Sequence, residues 1–183
     1  IERERPDFEV VEAERRLNGR LGGLELRLCV DRVDRIGDSL LVIDYKTGRA
    51  TTAHWRGARL EAPQLPLYAV LHPDRPAGIA LAGLSGRRIG FSGVAREAGL
   101  LGGVCAAGEF ELTEDREKGF DWPQITQHWW AWLDRLAREH AAGHAEVDPL
   151  QGATTCRGCH LGALCRVTAA NDDEDGEETG DGA

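Results

Sequence analysis

The sequence has no methionine, no apolar stretch long enough to cross a bilayer, and a charged rather than apolar N-terminus. Residues 1–5 are not followed by the apolar segment that a signal peptide requires. Five cysteines in a chain without an export signal argue against a disulfide scaffold and favour free thiols or a metal site. We therefore expect a cytoplasmic protein with no membrane partner, and the missing initiator methionine predicts a fragment of a longer chain.

An excess of basic residues is also lacking, since the formal net charge is −9. Seven of the 31 acidic residues lie in residues 171–183, a segment with no basic residue. The remaining 24 acidic residues nearly balance the 22 basic ones, and such a body with local arginine clusters is compatible with DNA binding. The acidic tail, residues 167–183, has almost nothing to bury and is expected to be disordered.

The clearest feature that is present is an aliphatic run, residues 40–43, which ends in charged residues and a glycine. The run predicts a buried strand. Asp44 and Lys46 follow it, and they share one face because strand side chains alternate between faces. A buried strand that ends in a carboxylate and an ammonium indicates a functional site or a specific partner.

That partner is predicted on the preceding strand, residues 24–34. Gly37-Asp38 predicts a two-residue type II′ turn, and counting outward from it places Asp31 opposite Asp44. Two carboxylates this close repel each other unless a cation lies between them. Oxygen ligands favour Mg²⁺ or Mn²⁺ over Zn²⁺, and Lys46 would then act on a metal-bound water.

A simpler interpretation treats the hairpin as purely structural. In it Asp31 pairs with Arg27 or Arg32, and the Lys46 side chain is solvated at the end of its strand.

The other predicted elements surround this hairpin. A helix at residues 62–72 has its two prolines in the first turn, and a longer helix covers residues 123–142. Further strands are predicted at residues 7–17, with Glu12 and Glu14 on a solvated edge, at 79–84, at 87–94 and, as a short strand, at 109–112. The buried face of the long helix is predicted to consist of Ile125, Trp129, Trp132, Leu133, Leu136 and His140.

Three motifs together resemble the nuclease motifs of the RecB/AddB-type branch of the PD-(D/E)XK nucleases. They are DRVD at residues 31–34, VIDYKTG at residues 42–48 and QLPLYA at residues 64–69. The resemblance extends over about residues 8–166. It implies an α/β restriction-endonuclease-like core, with a central mixed sheet flanked by helices.

The resemblance also implies the roles of individual residues. Asp31, Asp44 and the Tyr45 carbonyl would bind the metal ion. Lys46 would orient or activate the attacking water, supported by Gln64, and Tyr68 would reach toward the substrate. Arg56 and Arg59, in the connection after the third strand, would contact DNA. The implied activity is Mg²⁺- or Mn²⁺-dependent exonuclease cleavage of DNA ends in recombinational repair, with helicase domains or a helicase subunit as partner.

Cys156, Cys159 and Cys165 follow a C-x₂-C-x₅-C pattern that resembles three ligands of a [4Fe–4S] cluster in the same branch. The fourth cysteine of such a cluster would come from upstream of this sequence. Cys29 and Cys105 are poor substitutes. Zinc bound with His144 or His160 is the alternative.

One family feature is not found in this sequence. Family members begin with a helix that donates a Glu or His to the metal, and no such helix is predicted before Asp31. We therefore expect that helix outside the fragment, and weak activity without it. A non-catalytic DNA-binding module and a zinc-stabilised interaction domain are the competing interpretations.

Overall fold

The computed structural model describes residues 2, 5–85, 89–157 and 159–165. It divides into two compact units, Ile1–Ala142 and Gly143–Ala183. The predicted acidic tail at residues 167–183 lies outside the described residues. Within the described part, no helix is long and apolar enough to span a membrane.

The first unit is built on one mixed sheet of six strands in the order β1-β2-β3-β4-β5-β6. Pairing is parallel between β3 and β4 and between β5 and β6, and antiparallel elsewhere. With its flanking helices this sheet confirms the predicted α/β class. The strands are β1 (Glu9–Leu21), β2 (Leu24–Ile36), β3 (Ser39–Lys46), β4 (Gly78–Gly83), β5 (Gly90–Ala95) and β6 (Val104–Ala106).

The β2–β3 hairpin forms as predicted. Ile36 pairs with Ser39, and the register continues to Arg32 opposite Ile43. Gly37 has a φ of 57°, and Asp38 is not among the residues with positive φ, as a type II′ turn requires. The next step of this register places Asp31 opposite Asp44.

Two helices of the first unit position the site and cover the sheet. They are α1 (Gln64–Leu71) and α2 (Trp122–Ala141). Asp121 caps α2 by accepting from the Gln124 backbone N–H, while the Gln124 side chain accepts from the Asp121 N–H. Helix α2 then buries Trp129 edge-on against Trp55 and Trp122, with ring centroids 6.4 and 5.8 Å away.

Three sequence predictions about this unit are wrong. The buried residues of α2 are Trp122, Ile125, Trp129, Leu133 and Ala137, whereas Leu136 is 44% exposed and His140 is exposed. Residues 109–112 do not form a strand, because Glu109 ends a 3₁₀ helix at Ala107–Glu109 and the short strand of this region is β6. Glu12 does not lie on a solvated edge, because it contacts the buried side chain of His72.

Apolar residues pack on both faces of the sheet. One face packs against α1 and the tryptophans, and its buried residues include Val33, Val42, Ile79 and Val94, next to Leu65 of α1. The opposite face has its own buried cluster, which includes Ile43, Ala80 and Ala82. Strand β3 is therefore buried on both faces, which explains its uninterrupted aliphatic run.

The opposite face carries a buried ion-pair cluster. The Asp34 side chain is fully buried, and it accepts from Arg32 Nε at 2.5 Å and from Arg5 Nη2 at 2.6 Å. The Arg5 side chain is only 2% exposed, and its guanidinium carbon lies 3.8 Å from the ring centroid of Phe8. Asp34 therefore has a structural role, because its ion pair with Arg5 joins the segment before β1 to strand β2.

The second unit contains two short helices, α3 (Ala153–Cys156) and α4 (Gly162–Cys165). The Cys159 backbone N–H donates to the Cys156 carbonyl at 2.9 Å, and the Leu161 N–H donates to the Cys159 sulfur at 3.4 Å.

Candidate active site

The carboxylates of Asp31 on β2 and Asp44 on β3 lie next to each other. Asp31 Oδ2 accepts a hydrogen bond from the Tyr45 backbone N–H at 3.1 Å. This bond fixes the Asp31 side chain beside Asp44, just beyond the last backbone pair of the two strands. The predicted convergence of Asp31 and Asp44 is therefore present in the structure.

Asp44 is the buried member of the pair, with an exposed fraction of 1%. Its Oδ2 atom lies 2.7 Å from Lys46 Nζ, which is its ion-pair partner. Burial raises the pKa of the Asp44 carboxyl, and the nearby Asp31 carboxylate acts in the same direction. The Lys46 ammonium opposes this shift without cancelling it. The two carboxylates therefore share a single ammonium, and a bound cation would relieve their repulsion.

Lys46 joins the carboxylates to helix α1. Its Nζ donates to Gln64 Oε1 at 3.1 Å, in addition to its ion pair with Asp44. The side chain is 39% exposed, so the ammonium can still reach a ligand from solvent. The interpretation in which Lys46 is only solvated is not supported by these contacts.

Gln64 and Tyr68 hold Lys46 through a chain of hydrogen bonds. Gln64 Nε2 donates to the Tyr68 hydroxyl at 3.1 Å, and that hydroxyl donates to the Cys29 carbonyl at 2.5 Å. The two side chains lie one helical turn apart on α1, as their i, i+4 spacing predicts. No sequence pattern indicates the last partner, which is a backbone carbonyl of β2.

Tyr68 does not reach outward toward a substrate. It is 3% exposed, its hydroxyl is occupied between Gln64 and Cys29, and burial raises its pKa. The prediction that Tyr68 contacts DNA is therefore replaced by a supporting role for Gln64.

In the structural interpretation Asp31 pairs with Arg27 or Arg32. Arg32 directs its Nε and Nη2 atoms to Asp34 rather than to Asp31, and among the described residues no ion pair joins Asp31 to Arg27. The Asp31 side chain instead accepts from the Tyr45 N–H and lies beside the Asp44 carboxyl.

The residues present fit a hard divalent cation. The buried carboxylate of Asp44 has a second carboxylate next to it, and among the described residues only the Lys46 ammonium forms an ion pair with it. An all-oxygen donor set of this kind suits Mg²⁺ or Mn²⁺. Asp31 and Asp44 would hold such an ion, with the predicted Tyr45 carbonyl as a third ligand.

The two arginines predicted to contact DNA differ in their surroundings. Arg56 Nη1 lies 2.7 Å from Glu111 Oε2, and the Arg56 side chain is 28% exposed. This internal ion pair makes Arg56 a poor phosphate ligand. Arg59 is exposed in the same connection, and its role stays a prediction.

A second set of potential ligands lies away from the site. Glu12, His72 and Asp74 bring ligand atoms within 4.8 Å of one another. His72 Nε2 lies 3.2 Å from Glu12 Oε2, and Nδ1 accepts from the Asp74 N–H at 3.3 Å. Both ring nitrogens therefore already have partners, which favours a structural pair over a metal site.

Cys156, Cys159 and Cys165 lie in the second unit, partly or fully exposed as free thiols. Among the described residues they do not form a group whose ligand atoms lie within 4.8 Å of one another, with or without His144 or His160. Their iron–sulfur or zinc role stays a prediction.

The family model described as the PD-(D/E)XK nuclease superfamily matches residues 1–166. No curated protein shows significant similarity to the chain. Among solved structures, the chain is similar to one described as the crystal structure of SSO0001, with 17% identity and a TM-score of 0.41. The match covers 86% of this chain but only 60% of that chain.

Proposed function

Because the chain belongs to the PD-(D/E)XK nuclease superfamily, whose members are metal-dependent nucleases, we propose that its site hydrolyses phosphodiester bonds in DNA. The observation that supports this most is the connected set Asp31, Asp44 and Lys46, in which the buried Asp44 carboxylate lies between a second carboxylate and a single ammonium. Two carboxylates this close repel each other, so the arrangement does not serve fold stability alone unless a cation binds between them.

Hydrolysis adds water across one P–O bond, so the reaction needs an activated water and stabilisation of charge on the phosphate. When bound, Mg²⁺ or Mn²⁺ supplies Lewis-acid stabilisation of that charge and lowers the pKa of a coordinated water. Asp31 and Asp44 would hold the ion.

Lys46 has the position to act on the attacking water or on the phosphate. Its ammonium is restrained from two sides, by Asp44 Oδ2 and by Gln64 Oε1, and it remains accessible to solvent. Gln64 is restrained in turn through Tyr68 and the Cys29 carbonyl, so Lys46 is pre-oriented before substrate arrives. Gln64 and Tyr68 are thus positioning residues in this proposal.

We further infer that the chain belongs to the RecB/AddB-type branch and acts as an exonuclease in recombinational DNA repair. The three motifs at residues 31–34, 42–48 and 64–69 support this, because all of them converge on one site. Helicase domains or a helicase subunit are the proposed partners. A [4Fe–4S] cluster in the intact parent is proposed for Cys156, Cys159 and Cys165, with zinc as the alternative.

The proposal is tested by removing the metal ion and by comparing linear DNA with covalently closed circular DNA. We expect loss of end-labelled linear DNA with Mg²⁺ or Mn²⁺ and none with excess EDTA, because no described residue replaces the charge of the ion. Re-addition of Mg²⁺ should restore the activity. Covalently closed circular DNA should survive, and its cleavage would refute the exonuclease assignment. Equal cleavage in EDTA would refute metal-dependent hydrolysis.

A further inference from the structure

A strip of the sheet beside Lys46 has no side chains. Gly83 of β4 is the register partner of Lys46, and Gly90 of β5 is the register partner of Gly83. Neighbouring strands lie about 4.8 Å apart, so the strip extends roughly 10 Å from Lys46 across the sheet. A Cβ atom added to Gly90 would meet no other atom within 4 Å. The face that carries Lys46 is therefore open at Gly90.

The next row of the sheet is polar at its far end. Asp44 is the register partner of Leu81, and Leu81 is the partner of Ser92. Directly opposed residues project to the same face, so the Ser92 hydroxyl lies on the face of Asp44 and Lys46. The bare strip is thus bordered by the proposed catalytic residues at one end and by a hydroxyl at the other.

A cavity of about 850 Å³ occupies this region. It is lined by residues 47–51, which directly follow Lys46, by Gly83 and Ser85, and by residues 89–92. Its volume is within the range of small-molecule and cofactor sites. The cavity lies next to the proposed active site, because Gly83, which lines it, is the register partner of Lys46.

Arg49 lines the cavity and is exposed. No hydrogen bond or ion pair joins it to another described residue, whereas Arg32 is bound to Asp34 and Arg56 to Glu111. Arg49 is thus a cation next to the site that is available for a ligand. A guanidinium is well suited to a phosphate, and serine and threonine hydroxyls also bind phosphate oxygens.

We propose that this groove binds the nucleotide of the substrate strand that flanks the scissile phosphate, with Arg49 on its phosphate and the Gly83–Gly90 strip as its floor. The proposal rests on the proposed function and adds to it a substrate-binding site with named positioning residues. The bare floor admits the sugar and base close to the sheet, and any side chain at Gly90 would occupy their place.

The test measures binding separately from cleavage. The protein is titrated into a fluorescent single-stranded oligonucleotide in the presence of EDTA. The fluorescence anisotropy gives Kd at each of several salt concentrations. Gly90→Leu should weaken binding at least about tenfold because leucine fills the groove. Arg49→Ala should lower the slope of log K against log salt by about 0.7, the value expected for one lost contact to a single strand.

Matched controls use sites with the same local properties. Gly102 also has open space where a Cβ atom would lie and no positive φ, so Gly102→Leu should leave binding unchanged. Arg35, which is exposed on β2, controls for the loss of a charge as Arg35→Ala. The thermal midpoint of each variant confirms that it folds. Arg49 is exposed, so Arg49→Ala keeps the proposal testable if Gly90→Leu does not fold.

The outcomes distinguish the groove from the nuclease assignment. Wild-type affinity in Gly90→Leu together with an unchanged salt slope in Arg49→Ala would overturn the groove. If Lys46→Ala still abolished cleavage, the nuclease assignment would stand without it. Conversely, if both variants lose binding but the intact parent protein cuts no DNA with any metal, the groove would be supported and hydrolysis refuted.

Discussion

Lys46→Ala is expected to lower the rate constant for DNA cleavage about 10³-fold, while DNA binding changes little. Positioned proton-transfer and charge-stabilising groups typically contribute 10²- to 10⁴-fold, and Lys46 is the only described cation in contact with Asp44. The ammonium is 39% exposed, so its removal leaves no large cavity. Single-turnover cleavage of end-labelled DNA with Mg²⁺ measures the effect.

The chain offers a matched control for this substitution. Lys118 is its other lysine, is 54% exposed, and lies 3.7 Å from Glu111 in a weak ion pair. Lys118→Ala should cleave at the wild-type rate. If Lys46→Ala retained activity within about tenfold of wild type, either Lys46 would have no catalytic role or a contaminating nuclease would be responsible. Asp44→Asn in the same preparation separates these two explanations, since contamination would survive both changes.

Asp34→Ala is expected to destabilise the fold by about 3–5 kcal/mol, the usual cost of removing one partner of a buried ion pair. Asp34 is fully buried, and Arg5, at 2% side-chain exposure, would keep its charge without a carboxylate partner at that position. Arg32 would lose the same partner. Urea unfolding of wild type and variant measures the difference.

Asp115 provides the comparison, because it is exposed and its side chain forms no hydrogen bond or ion pair with another described residue. Asp115→Ala should change the free energy of unfolding by less than about 0.5 kcal/mol. A loss below about 1 kcal/mol for Asp34→Ala would show that water or a rearranged arginine replaces the buried pair. In that case the chain before β1 would not stabilise the sheet in the way the contacts indicate.

The hairpin and its carboxylates could be predicted because local rules determine them. A two-residue turn with Gly37 fixes the register, and the alternation of strand side chains then places Asp31 and Asp44 on one face together with Lys46. The i, i+4 spacing of Gln64 and Tyr68 determines their shared face in the same way. These predictions need no knowledge of distant contacts.

The features that could not be predicted depend on partners far away in sequence. The buried ion pair of Asp34 depends on Arg5, 29 residues earlier. The ion pair of Arg56 depends on Glu111. The family resemblance implies that Tyr68 reaches toward DNA, and the inward orientation of its hydroxyl depends on the Cys29 carbonyl on β2.

The groove cannot be predicted from the sequence, for a physical reason. Gly83 and Gly90 are 7 positions apart in the chain, and only the pairing of β4 with β3 and β5 aligns them with Lys46. The lack of side chains at Gly83 and Gly90 indicates a groove only once the pairing of β3, β4 and β5 is known.

Diffraction from crystals soaked in Mn²⁺, recorded at a wavelength where manganese scatters anomalously, tests the central claim most directly. We expect an anomalous peak between Asp31 and Asp44 with carboxylate oxygens at about 2.0–2.2 Å, and its loss in Asp44→Asn. Glu12, His72 and Asp74 provide an internal comparison in the same crystal. A peak at those three residues with none between Asp31 and Asp44 would contradict the proposed metal site.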